Sequence, residues 1–304
     1  MDAHLELTDV SKRYARTVAV DRLSLAVPRG AIYGLLGPNG AGKTTTIRMV
    51  MRITLPDSGE IRLGGRIIDD DVREAIGYLP EERGLYRRMK VLDQLAYLGE
   101  VRGLARPEAR RRAGEWLEKL GLTPKADARV EELSKGMQQK VQFAGAVIHS
   151  PEFLILDEPF TGLDPIATRQ LKDELLAMAA AGTTVLLSTH VLPQAEELCD
   201  HICLINRGRP ILQGALAEVR GRFVKPALKV VSAASDAELA AVPGVAAVRQ
   251  GDGGRIVELA DGTAASAVIR ALAAALPLDA VAPLAETLED IFLRAVEADH
   301  AAVA

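Results

Sequence analysis

The chain has 304 residues, 48% hydrophobic and 26% charged, with a formal net charge of −4 and a pI near 5.8. At roughly 100–200 residues per domain this length predicts one large and one small domain, and the apolar content excludes global disorder. No stretch reaches the about 20 consecutive apolar residues that cross a bilayer, and the acidic N-terminal residues are unlike a secretory leader. Those two features predict a cytoplasmic setting, and the acidic balance offers no basic face for nucleic acid, so no nucleic-acid partner is expected. Cys199 and Cys203 fit neither a disulfide nor a zinc framework and are expected as buried free thiols.

In chain order, residues 5–8 and 23–27 alternate as strands, and residues 31–36 read as a buried strand entering a glycine-rich turn. A helix is expected over residues 43–52, a turn at Pro56-Asp-Ser-Gly and a strand at 60–63. Residues 91–121 are helical in pattern and divided at Arg106-Pro107, because proline disfavours helix in the residue before it. They predict a helical insert over about residues 85–150. Beyond Leu133 a helix, a strand at 153–156, a helix from Pro165, a strand at 183–187 and a helix after Pro193 alternate. That order implies a mostly parallel sheet covered on both faces.

Composition shifts at residues 221–226, where a boundary is expected between a domain of residues 1–222 and a small α+β module of residues 226–304. The module has strand patterns at 228–231 and 255–259, separated from one another by Gly251-Asp-Gly-Gly, and shows no catalytic constellation.

Gly37-Pro-Asn-Gly-Ala-Gly-Lys43-Thr44 fits G-x-x-x-x-G-K-[ST] and lies between a strand and a helix, the context this motif requires. Gly37, Asn39, Gly40 and Gly42 belong to a loop whose backbone N–H groups wrap phosphates. Lys43 reaches the β- and γ-phosphates and Thr44 offers a hydroxyl to Mg²⁺. Thr45 adds a phosphate hydrogen bond at the helix start, where the dipole favours an anion.

The apolar run 153–156 ends in Asp157-Glu158-Pro159, at the strand edge where ligands bind in parallel sheets. Asp157 is the candidate for holding Mg²⁺ and Glu158 for polarising a water, against a simpler reading as helix-capping acids. A second strand ends on the same edge in His190, whose imidazole is placed to touch the γ-phosphate; taken alone it reads first as a structural histidine, and the neighbouring strand ends turn it to the functional reading.

Leu133-Ser134-Lys135-Gly136-Met137-Gln138 resembles the signature motif of ATP-binding cassette (ABC) ATPases. With the phosphate loop, Asp157-Glu158, Gly162-Leu163-Asp164 and His190, its order and spacing resemble a complete cassette over residues 1 to about 222. The resemblance implies a P-loop NTPase cassette with a β-rich N-terminal subdomain, and a head-to-tail dimer with a second copy or a similar cassette. In it Ser134 and Gly136 of one subunit close over ATP held by the other; a plain helix N-cap at Ser134 is the simpler alternative. Tyr14 resembles the residue on which the family stacks adenine, and it reads equally as a sheet-packing tyrosine. Glu81 stands where the family commonly has glutamine. It keeps an oxygen for Mg²⁺ and loses the amide donor. Lys135 and Met137 also depart from the usual signature.

Residues 79–86 and 287–292 look like a subgroup of exporter ATPases with an added C-terminal domain. The resemblance thus implies an ATPase that uses ATP and Mg²⁺ to drive a membrane-spanning permease subunit, held through it at the cytoplasmic face of the membrane. A soluble cassette acting on ribosomes or DNA is the alternative. The basic residues Arg83, Arg87, Arg88, Lys90 and Arg110 to Arg112 face either a partner, lipid head groups or solvent.

Overall fold

The computed structural model describes residues 2–82, 84–223, 227–251, 253–260, 262–284 and 287–303. Period-two burial makes its first two strands. β1 (Ala3–Tyr14) and β2 (Thr17–Pro28) pair antiparallel and turn Leu5, Leu7, Val10, Val20, Leu23, Leu25 and Val27 inward. β3 (Ile32–Leu36) is buried along its whole length, as a strand covered on both faces is, and passes through the loop of residues 37–42 into α1 (Lys43–Val50). β4 (Ser58–Leu63) and β5 (Arg66–Ile67) complete an antiparallel sheet in the order β2-β1-β4-β5.

α2 (Asp70–Glu74), capped by the Asp69 carboxylate that accepts from the Val72 N–H at 2.8 Å, leads to the three-residue β6 (Gly77–Leu79). The helical insert follows as α3 (Val91–Val101), α4 (Arg106–Lys119) and, after two short 3-10 turns, α5 (Lys135–Val147). Arg106 opens α4 with Pro107 in the first turn, where a missing N–H costs nothing.

β7 (Phe153–Asp157), α6 (Pro165–Ala180), β8 (Thr184–Thr189), α7 (Leu192–Leu198), β9 (His201–Asn206) and β10 (Arg209–Ala215) follow. They complete a second sheet in the order β10-β9-β3-β8-β7-β6, parallel except for β10. Its register sets Leu36 opposite Thr189 and Asp157 opposite Ser188, so the chain leaves β3, β7 and β8 side by side on one edge. Leu35, Ile47, Phe153, Ile155, Leu186 and Ile205 join the inward residues of β1 and β2 in one core. Burying each such side chain contributes about 1.5–3 kcal/mol. Cys199 and Cys203 are buried free thiols, and burial pushes both up to about 12.

The chain divides into one unit of Met1–Ala217 with Arg294–Ala304 and another of Glu218–Leu293. The boundary expected between residues 222 and 226 falls partly outside the described residues. α8 (Leu216–Phe223) enters the second unit, which continues as β11 (Ala227–Val231), α9 (Asp236–Ala240), β12 (Val245–Gly251), β13 (Gly254–Leu259), α10 (Ala265–Ala275) and β14 (Ala280–Leu284). The final helix is α11 (Leu288–Val303). The sheet order β12-β13-β11-β14 with every pair antiparallel is a split βαβ arrangement. Leu228, Val230, Val257 and Leu259 pack with Leu239, Val268 and Leu272 of the helices to form its core.

Candidate functional site

The loop between β3 and α1 needs glycine where backbones crowd it. A Cβ at Gly37 (φ +148°) would lie 2.2 Å from the Ile205 carbonyl oxygen, and one at Gly42 (φ +112°) 2.4 Å from that of Ala19. Gly42 is also the N-cap of α1 and provides no side-chain cap, so the first N–H groups of the helix remain available to an anion. Lys43, 6% exposed, folds back and donates Nζ to the carbonyls of Gly37 at 2.7 Å and Pro38 at 3.2 Å. Burial lowers its pKa, while Glu158, Asp157 and Glu81 oppose that shift.

Lys43 Nζ also lies 4.0 Å from Glu158 Oε1. Glu158 leaves β7 in the left-handed region, at φ 51°, with its N–H donating to the Ser188 carbonyl at 3.0 Å. Such a conformation costs a non-glycine residue about 1–3 kcal/mol and persists where surroundings impose it. Here they do. Glu158 Oε1 accepts from the backbone N–H of His190 at 3.0 Å and pairs with His190 Nδ1 at 2.7 Å, while Oε2 accepts from the Thr189 hydroxyl at 3.3 Å. A carboxylate accepts, so Nδ1 carries the proton and a neutral ring keeps Nε2 as an acceptor.

Asn39, Gly40, Gly42, Lys43, Thr44, Thr45, Glu81, Glu158 and His190 line one cleft of about 390 Å³. Thr17, Ala19 and Thr161 also line it, and none of these was singled out in the sequence. No motif marks Thr17 and Ala19; only the pairing of β1 with β2 carries them there.

Asp157 sits at the end of β7 with 1% exposure, and neither of its enclosed carboxylate oxygens has a hydrogen-bond partner. Burial raises its pKa and Glu158 adds to that, against opposing effects of the Ser188 and Thr44 hydroxyls and Lys43. A buried carboxylate beside a phosphate loop and the Thr44 hydroxyl is a donor set that would suit a hard cation. Among the described residues no three or more His, Cys, Asp and Glu side chains form a cation-binding group of their own.

Ser134, Gly136, Tyr14 and Asp164 do not line this cleft, although Tyr14 pairs across the β1–β2 turn with Thr17, which does. Ser134 caps α5, accepting from the Met137 N–H at 3.3 Å, and Gly136 lies in the first turn. Tyr14 is 45% exposed near the β1–β2 turn, its hydroxyl donating to Thr54 at 3.5 Å and Lys12 Nζ 5.6 Å from the ring centroid. Asp164, in the loop after Glu158, caps α6 by accepting from the Ala167 N–H at 2.8 Å.

Many of the basic residues singled out in the insert are paired on its surface. Lys90 meets Asp127 at 3.0 Å, Arg110 meets Asp93 at 2.9 Å, and Arg111 and Arg112 meet Glu108 at 2.7 Å. Arg83 lies outside the described residues. Among the described residues no helix is long and apolar enough to cross a membrane.

Two family descriptions match the chain: ABC transporter, over residues 20–161, and the C-terminal domain of DrrA1-3-like ATP-binding proteins, over residues 214–296. An uncharacterised ABC transporter ATP-binding protein of Bacillus subtilis is 45% identical over 235 residues, covering 77% of this chain and 78% of the relative. Nod factor export ATP-binding protein I of Cupriavidus metallidurans is 42% identical over 217 residues, 70% of this chain and 72% of the relative. Among solved structures, cbiO1 of Clostridium perfringens, part of the ABC transporter complex cbiONQ, superposes with a TM-score of 0.65 at 29% identity. That match covers 72% of this chain and 91% of the other. With this similarity added to the phosphate loop and the acidic strand end, the chain belongs to the ATP-binding, ATP-hydrolysing subunits of ABC transporters.

Proposed function

We propose that this chain is the motor of an exporter, hydrolysing ATP in the cleft around Lys43 and Glu158 to drive a separate membrane-spanning subunit. The observation that carries the reading is the convergence of Lys43, Glu158 and His190 on one cleft at the edge of a parallel sheet. Gly37, Asn39, Gly40 and Gly42 present backbone N–H groups to the triphosphate with Thr45 beside them, and Tyr14 stacks the adenine. Lys43 exchanges its loop carbonyls for phosphate oxygens. Thr44 and Asp157, with Glu81, are the residues that would hold Mg²⁺, which when bound neutralises charge on the transferring phosphoryl group. Glu158, oriented by His190, accepts a hydrogen bond from the attacking water and polarises it.

Ser134 and Gly136 act on ATP held by a second copy, which accounts for their absence from the cleft of their own chain. A cassette of residues 1–222 and an accessory domain of residues 226–304 are part of the same proposal. A groove of about 510 Å³ on the cassette, lined by Met51, Ile53, Tyr78, Leu98 and Val101 among others, supports docking of the membrane subunit. Ile53 and Val101 are 60% and 63% exposed, an apolar surface suited to a cytoplasmic segment of that partner. Docking there would hold the chain at the cytoplasmic face of the membrane. The Nod factor export relative supports the outward direction.

Glu158→Gln keeps the shape and most hydrogen bonds of the side chain and removes its charge. It should retain ATP binding and lose hydrolysis by about a hundredfold or more. Nucleotide binding and phosphate release, measured on the same preparation, check this. Wild-type turnover would remove Glu158 from the role assigned to it.

A further inference from the structure

Two buried glutamines one turn apart on α5 reach both loops that carry the acidic groups of the cleft. Gln142, 6% exposed, donates Nε2 to the Pro80 carbonyl at 3.0 Å and to the Glu82 carbonyl at 3.1 Å. One amide therefore pins the backbone on both sides of Glu81. Gln139, 3% exposed, donates Nε2 to the carbonyl of Pro159 at 3.0 Å, one residue beyond Glu158. All three partners are carbonyls, so only the NH₂ end of each amide satisfies them, and the orientation follows from chemistry. The Gln142 oxygen is buried without a partner. Its two donor bonds are thus the polar contacts that this side chain makes with the protein.

The helix that carries these amides is held closely against the strand leading to Glu81. At Gly77 of β6 the two approach so closely that a Cβ would lie 2.6 Å from the carbonyl oxygen of Ala146. The same helix begins at the Ser134 cap with Gly136 in its first turn. Gln142 lines the apolar groove rather than the cleft that holds Lys43 and Glu81. It therefore touches neither the reacting atoms nor the nucleotide site directly.

We propose that Gln142 is a positioning residue for ATP hydrolysis: by fixing the carbonyls of Pro80 and Glu82 it makes the placement of Glu81 in the cleft follow the position of α5. The inference rests on the role proposed above for Glu81. A helix that carries the signature residues at one end and this anchor in its body couples closure over ATP, or occupation of the groove, to the charge around the phosphates. Gln139 makes a parallel contact beside Glu158.

The test is a double-mutant cycle on the full chain. Gln142→Met removes both donors at similar length and leaves an apolar side chain beside Leu98, Ala146 and Tyr78; Gln142→Leu serves the same cycle if the first variant does not fold. Gln142→Met should lower kcat about tenfold or more, as a small misplacement at a site does, while KM for ATP stays within about twofold. In a Glu81→Ala background the same change should cost less than about twofold, because the group it positions is gone. Unchanged kcat in Gln142→Met, or a full additional loss in the Glu81→Ala background, overturns the proposal while leaving Glu81 its role. Wild-type kcat and Mg²⁺ dependence in Glu81→Ala alone contradicts the role of Glu81 and takes this proposal with it.

Discussion

Burial and charge oppose each other most directly at Asp157. Its carboxylate is enclosed next to Glu158, and burial raises its pKa above the ordinary 3.8 more than the Ser188 and Thr44 hydroxyls and Lys43 lower it. A folded-state pKa above the unfolded one means that the folded chain binds the extra proton. Stability from this group is then fullest in acid and is lost as pH rises from about 4 upward. Asp157→Asn should therefore raise the melting temperature of the nucleotide-free protein by a few degrees at neutral pH and abolish Mg²⁺-dependent hydrolysis. The gain should shrink as pH falls toward about 4, which a thermal-shift series across pH measures. An Asn variant less stable than wild type at neutral pH would contradict this view of the site.

That Lys43, Glu158 and His190 meet in one cleft was legible in the sequence, because each lies just beyond the end of an apolar strand pattern on the same sheet edge. Gln139 and Gln142 were not. Their acceptors are main-chain carbonyls of Pro80, Glu82 and Pro159, and a carbonyl carries no residue identity that a sequence could advertise.

Among the elements, those with strong periodicity or clear punctuation were foreseen. β3, β7 and β8 are fully buried runs of five or six residues, β7 ending in Asp157 while Gly37 and His190 follow β3 and β8, and Pro107 marks the start of α4. β6 is three residues long, too short to show a period, and exists because it pairs with β7. β9 follows α7 after only two residues, Cys199 and Asp200, so its apolar run was open to being read as more helix. α1 stops at Val50, two residues before its expected end, and Arg52 adopts a left-handed φ of 51° there.

The groove beside α3 belongs to this scale, because α2, β6, α3, α5 and the segment after α1 form it jointly. Val101→Glu places a charge on its apolar wall at a site 63% exposed, where the fold tolerates it. The variant should keep nucleotide binding and lose its association with membranes prepared from cells that make the whole transporter. Equal recovery of variant and wild type in the membrane fraction would show that the membrane subunit docks elsewhere.

For the molecule as a whole, the chain divides after Ala217 and returns to the first unit at Arg294, whereas the composition shift lies at residues 221–226, and the antiparallel order of the sheet in the smaller unit depends on long-range pairing. Within the cassette, Ser134 and Gly136 do not line the cleft of the phosphate loop, and the proposed site requires a second copy to bring them to it. Binding to ATP should then be binding to another chain. The direct measurement is the molar mass of the Glu158→Gln variant by light scattering, in Mg²⁺ with ATP and in Mg²⁺ with ADP. The account predicts about twice the 32.5 kDa of one chain with ATP and a single chain with ADP. A single chain under both conditions, with ATP demonstrably bound, would contradict a site completed by two copies.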